Sequence, residues 1–308
     1  MNMPGAPKKL LILAILEILK KYTDSEHRLL QCEIMAKLES DYDLTATRKS
    51  VRANIADLET AGYPVYYDGG WYYEHEFCEA ELNLLIDSIL YNPVVSRRQC
   101  LELTQKLKTL GGDHYRAGAS LGGNRPNNPQ FMFTLDILHE AMDGEKKVLF
   151  QYADYDVDKQ LHPRLNEQGK PKEYSVSPYR VVFTGGRYYL ICNVDGHDTL
   201  THFRLDYVLE ARVQDAPARP MWEMEDFKNG IDTAAYLTEH PNMFTGKVIT
   251  AKIIADRSMV SEILDRFGMG VNFTKVTETE VEAELRTDEL SLKYWIQMYR
   301  EFVRRVEG

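Results

Sequence analysis

Between Val148 and Val213 the chain is written as short β-favouring runs punctuated by tight-turn signals, and no other stretch so narrows what it can fold into. Val148-Leu149-Phe150-Gln151-Tyr152, Tyr174-Ser175-Val176, Tyr179 to Phe183, Tyr188 to Asn193 and Thr201 to Val208 carry residues that fit a pleated surface, with Gly185-Gly186 between the third and fourth. Strands this short and this regularly spaced predict a small barrel or curled sheet. Alternation within them directs Tyr188, Leu190, Phe203 and Leu205 to its core.

Upstream the period is helical. Leu11, Ala14, Ile15, Ile18 and Leu19 form one apolar stripe, and Leu30, Ile34 and Leu38 another. A third helix is expected from about Arg48 to Thr60, with Val51, Ile55 and Leu58 inward and Gly62 just past its end. Tyr63-Pro64-Val65-Tyr66-Tyr67 and Trp71-Tyr72-Tyr73, joined by Asp68-Gly69-Gly70, read as a hairpin. Three helices and a hairpin are the winged-helix order. Downstream of Thr245 the reading is strand (Lys247 to Ile254), helix (Met259 to Phe267), two strands around Thr277-Glu278, helix (Leu290 to Tyr299) and a last strand at Phe302 to Val306. That is the ferredoxin-like plan. The Gly-, Pro- and Asn-rich stretch Gly111 to Gln130 reads as a first linker, and Ala216-Pro217-Ala218-Arg219-Pro220 as the exit from the central domain.

A chain of 308 residues with 44% hydrophobic residues holds two or three domains. Its net charge of -10 excludes a histone-like nucleic-acid coat, so any such contact is local. Residues 1–70 carry nine Lys+Arg against ten acids, which makes non-specific DNA affinity modest and dimerisation helpful. Four scattered cysteines without a C-x-x-C pair argue against a zinc finger or disulfide framework. The apolar run Leu10 to Leu16 is far short of the ~20 residues of a membrane span and has no cleavage site after it. These features predict a soluble, cytoplasmic protein without membrane partner, metal or cofactor. Enzyme motifs are missing: there is no G-x-G-x-x-G, P-loop, H-E-x-x-H or G-x-S-x-G. Asp154, Asp156 and Asp158 begin like a calcium loop, but Lys159 and Leu165 stand where Gly and Glu are needed, so a surface turn is expected.

Arg48, Lys49, Ser50 and Arg52 lie on the first turn and a half of the third helix, where side chains reach phosphates or base edges if the helix enters a major groove. Asn54 is placed to pair with adenine. The alternative for this basic face is simple solvation. In the central strands, a cation beside exposed rings is a surface for single-stranded nucleic acid, since bases stack on the rings while the cation meets phosphate. Arg180 and Arg204 are the candidate phosphate partners, Tyr152, Tyr179 and Tyr189 the candidate ring contacts, and Ser177 a hydrogen-bond donor. Asp206 is a candidate partner for an arginine.

Thr47 to Val65 followed by Gly70-Trp71-Tyr72-Tyr73 resembles the recognition helix and wing of bacterial winged-helix regulators, with Ala53-Asn54 where those helices commonly carry Arg-Asp. Val176-Ser177-Pro178-Tyr179-Arg180, Gly186-Arg187-Tyr188-Tyr189-Leu190 and Phe203-Arg204-Leu205-Asp206 together resemble the signature of the WYL domain, with Tyr188-Tyr189-Leu190 at its Trp-Tyr-Leu. Tyr207 stands where the family usually has a second basic residue. Ile263 to Gly268 and Tyr294-Trp295-Ile296 resemble the extension that often follows such a domain, expected to be short because the chain ends at Gly308.

The resemblance implies an α+β multidomain chain: a winged helix-turn-helix over 1–77, a helical linker and loop over 78–133, an SH3/Sm-like WYL barrel over 134–216, a connector over 217–244 and a ferredoxin-like extension over 245–308. It implies a homodimeric, ligand-responsive transcriptional regulator that binds duplex DNA and senses an effector, with nucleic acid the favoured class. The alternative it leaves is an accessory protein that binds single-stranded RNA or DNA and modulates an RNA-guided (CRISPR) defence effector.

Overall fold

The computed structural model describes residues 8–115, 128–224 and 227–306. They belong to two compact units, 1–125 and 126–308. No described helix is long and apolar enough to cross a membrane.

In the first unit, α1 (Lys8–Tyr22), α2 (Gln31–Tyr42) and α3 (Arg48–Thr60) precede an antiparallel hairpin of β1 (Val65–Tyr67) and β2 (Trp71–Tyr73). The helical stripes meet in one core of Ala14, Ile15, Ile18, Leu19, Ile34, Leu38, Val51, Ile55 and Leu58, all buried. Leu30 departs from its stripe because it precedes α2 as the cap. Its side chain is half exposed while its backbone N–H donates to the Glu33 carboxylate. Leu29 and Trp71 exchange backbone hydrogen bonds of 2.9 and 2.8 Å, an isolated bridge that ties the segment before α2 to the hairpin. Gly62, at φ +87°, takes the left-handed turn that releases α3 into β1. Two further helices follow, α4 (Glu79–Leu90) and α5 (Arg97–Lys108). The first expected linker lies largely outside the described residues, since these omit 116–127.

The second unit begins with α6 (Phe131–Asp143), which packs on a six-stranded sheet: β3 (Lys146–Tyr155), β4 (Leu161–Pro163), β5 (Glu173–Thr184), β6 (Arg187–Val194), β7 (Leu200–Arg204) and β8 (Val208–Pro217). The two strands expected over 174–183 are one. A register shift between Pro178 and Arg180 lets the ladder pass a residue that has no N–H to donate. The single strand expected over 201–208 is instead divided by a 3-10 turn at Leu205–Tyr207, which carries the chain from the edge beside β6 to the edge beside β3. Hydrogen bonding therefore runs β8-β3-β5-β6-β7, with β4 also on β3, and no ladder among the described residues closes β7 onto β8. Leu190, Phe203 and Leu205 are buried, and Tyr188 packs on Phe131 with ring centroids 5.3 Å apart. The three aspartates of the apparent calcium loop are spent on the β3–β4 connection. Asp154 pairs with Arg164, Asp158 meets His162, and Asp156 accepts from the Val157 N–H.

The expected connector is packed rather than slack. It contains α7 (Thr233–Glu239), whose start is capped by Asp232 accepting from the N–H groups of Ala234 and Ala235. Met224, Tyr236 and Met243 join Tyr179, Val182, Ile191 and Leu200 of the sheet in a buried cluster. Beyond it come β9 (Val248–Asp256), α8 (Val260–Phe267), β10 (Asn272–Val276), β11 (Glu280–Asp288), α9 (Glu289–Met298) and β12 (Val303–Arg305). These strands form an antiparallel sheet in the order β10-β11-β9-β12. Its core includes Ile253, Ile263, Phe267, Leu292 and Trp295.

Candidate functional site

The outward face of α3 is built by its inward one. Burial of Val51, Ile55 and Leu58 turns Arg48, Lys49 and Arg52 to solvent together with the small Ala53 and Ala56. Thr47 caps the helix by accepting from the Ser50 N–H at 3.2 Å, and the Gln31 side chain donates to the Arg48 carbonyl, fixing the first turn. Arg48, Lys49 and Arg52 form no ion pair among the described residues. Ser50 is half-buried beside them. Asn54 differs from expectation: its Nδ2 folds back onto the Ser50 carbonyl at 2.8 Å, so the amide is not held out for a base.

The candidate residues of the central sheet do not form one open surface. Ser177 is fully buried, and its hydroxyl accepts the Arg219 N–H at 2.8 Å. Tyr179 is buried too, and its hydroxyl donates to the Arg219 carbonyl at 2.8 Å. The two residues thus clamp the backbone of Arg219, on both sides of its Cα, against β5. The buried Tyr152 hydroxyl accepts the Arg204 N–H at 3.1 Å, and burial pushes its pKa up to about 12, keeping it a neutral phenol. Tyr189 is half-buried against the same cluster as Tyr179.

Arg204 is held by its own neighbour. Nε and Nη2 donate to the Asp206 carboxylate at 3.1 and 2.6 Å, and the guanidinium lies 4.0 Å from the Tyr207 ring centroid. Burial pulls the guanidinium down, but the Asp206 hydrogen bonds and charge outweigh it and leave the group above its ordinary value. Asp206 is itself buried, and the buried Asn128 donates to the carbonyls of Asp206 and Val208 at 3.0 and 2.9 Å. This fork is an internal ion pair with one edge toward solvent. The expectation of an open phosphate partner at Arg204 is corrected accordingly.

Arg180 is different. It is exposed, its Nη1 donates to the adjacent Tyr179 carbonyl at 2.9 Å and to no other group among the described residues, and it borders a cleft of about 340 Å³ shared with Arg219, Trp222, Met142 and Glu145. Trp222, not singled out in the sequence, is 63% exposed there. Arg219 is partly neutralised by Asp198 at 3.0 Å and Glu223 at 3.8 Å. The Ser177 and Tyr179 clamp on Arg219 is what holds this wall beside Arg180.

A second feature that was invisible in sequence is a relay between β7 and α7. His202 Nδ1 lies 3.0 Å from the Met243 carbonyl and Nε2 2.7 Å from the Tyr236 hydroxyl. A carbonyl can only accept, so Nδ1 carries the proton and Nε2 accepts from the tyrosine. Burial, and then the neighbouring His240, lowers His202 to about 4. A histidine kept neutral by folding binds its proton more readily when unfolded. Its contribution is therefore complete above the ordinary value near 6.5 and is lost as pH falls through about 4. Urea titrations across that window should show a fall of roughly 3 kcal/mol that is flattened in His202→Gln; equal slopes for the two proteins would contradict the assignment.

Residues 134–213 match the WYL domain family, and this part of the chain is a WYL domain. No curated protein matches the chain significantly. Among solved structures, proteasome accessory factor B/C (PafBC) of Arthrobacter aurescens is similar at 15% identity and a TM-score of 0.31, covering 100% of this chain and 48% of that one. The chain thus spans about half the length of that structure.

Proposed function

We propose that this chain, carrying a WYL domain at residues 134–213, is a ligand-responsive transcriptional regulator. In this reading α1 to α3 with β1 and β2 are a winged helix, α3 enters the major groove, and β9 to β12 with α8 and α9 are a ferredoxin-like extension. The observation that carries it is the solvent face of α3: Arg48, Lys49 and Arg52, unpaired among the described residues, alternate with alanines small enough to let a helix approach a groove. The exposed Tyr66 and Tyr67 at the hairpin are available to the flanking backbone.

The effector surface in this reading is the Arg180–Trp222 cleft rather than Arg204. An exposed indole offers a stacking face and Arg180 a charge that has no carboxylate partner among the described residues, the pairing that single-stranded or mononucleotide ligands use. Effector binding then shifts the equilibrium between two states of the protein that differ in DNA affinity.

Selection from random duplexes, followed by titration of the enriched sequence as duplex and as each single strand, tests the main reading. A preference for duplex of about tenfold or more is expected. Preference for single strands with no enriched duplex would overturn it in favour of the accessory role. Arg180→Ala is expected to weaken single-stranded oligonucleotide binding about tenfold, the loss of one charge-assisted hydrogen bond, at unchanged melting temperature.

A further inference from the structure

A cavity of about 720 Å³ lies between β7 of the WYL domain and the C-terminal sheet, and no residue of the two surfaces described above lines it. We propose that it is a binding site for a small planar aromatic anion.

The floor is made of rings. Tyr236 and His240 stack with centroids 4.2 Å apart and planes 23° from parallel, and Phe227 meets Tyr236 edge-on at 6.3 Å. These rings are fixed before any ligand arrives: Tyr236 donates to His202, and the Asp232 cap sets the start of α7. A pre-formed cavity lined by rings and a few directed polar groups is the ordinary form of a small-molecule site. Its volume admits a molecule of one or two rings.

The rim selects charge. Glu239 is engaged by Arg286, whose carboxylate contact neutralises one positive charge. Lys247, exposed at the mouth, forms no ion pair among the described residues and leaves the rim one positive charge in excess. One further group points to the ligand's polarity. His240 Nδ1 donates to the Tyr236 carbonyl at 3.0 Å, so in the neutral tautomer this contact selects, Nε2 is the ring's acceptor. An aromatic molecule with a carboxylate or phosphate for Lys247 and an O–H or N–H for His240 satisfies floor, rim and acceptor together. A cationic ring satisfies only the floor.

Calorimetric titration of the full chain, free of DNA, with a panel of small aromatic carboxylates and nucleoside monophosphates, and with ring-matched aromatic amines, tests this. Binding of at least one anion at one site per chain, with none of the amines bound, is expected. The two anion classes identify whether the acid is a carboxylate or a phosphate. Lys247→Ala, a solvent-exposed change, should weaken the bound anion about tenfold, and Thr245→Trp, placed at the mouth, should abolish binding with the melting temperature unchanged. No anion bound, amines bound equally well, or affinity unaffected by Lys247→Ala would each overturn the proposal. Duplex binding plays no part in these readouts, so they stand or fall apart from the regulatory role.

Discussion

Asp206→Ala is expected to destabilise the unit formed by residues 126–308 by about 3–5 kcal/mol, the cost typical of stripping one partner from a buried ion pair. The carboxylate is 1% exposed and receives both Nε and Nη2 of Arg204, whose side chain is 26% exposed. Removing the acid strands a guanidinium that Tyr207 covers on one face. Arg204→Ala strands the deeper group, a buried carboxylate that loses both donors of the fork, and should cost at least as much. The double variant should recover much of either loss, because an absent pair leaves no uncompensated charge. Arg204→Lys should not restore stability, since an ammonium cannot span both carboxylate oxygens as the planar fork does. Urea unfolding of the four proteins at pH 7 reads all of these together. A loss below about 1 kcal/mol in Asp206→Ala would mean the pair behaves as a surface salt bridge. It follows that a failed effector response in Arg204→Ala would report a damaged fold before it reported a lost ligand contact.

That pair was half legible. The sequence offers Asp206 as a partner for an arginine, and Arg204, two residues before it, is that partner, although the 3-10 turn at Leu205–Tyr207 rather than a shared strand face brings the two together. The spacing does not say that Asn128 and Tyr152 close over them from 78 and 52 residues away. The same limit explains Ser177 and Tyr179. Their types are right for ligand contact, but whether a hydroxyl faces solvent or a connector peptide depends on Arg219, about 40 residues on. The helical stripes were readable because Ala14, Ile15, Ile18 and Leu19 repeat within one element. The packed connector was not, because α7 is a single short helix whose apolar anchor, Tyr236, finds its partners on β6 and β7. Local periodicity therefore carried the elements, while the sites depend on which distant segments cover them.

Replacing Arg48 and Lys49 together by alanine is expected to lower duplex affinity about 100-fold near 0.1 M salt, taking each as one charge-assisted phosphate contact worth about tenfold. Neither side chain forms an ion pair among the described residues, and the Thr47 cap and the Gln31 contact hold the helix start through backbone atoms. The fold should therefore be unaffected. Loss of two phosphate contacts should also reduce the slope of log affinity against log salt by about 2. Arg52→Ala separates positioning from reading. If its guanidinium meets a base edge, affinity for the selected duplex falls while affinity for random duplex is kept, and preference relaxes at one position. Asn54→Ala should do little by comparison, since its amide is already occupied by the Ser50 carbonyl one turn back. Filter binding at several salt concentrations distinguishes these outcomes. A double variant with unchanged affinity and an unchanged slope would remove α3 from the DNA interface, and with it the winged-helix reading of the first unit.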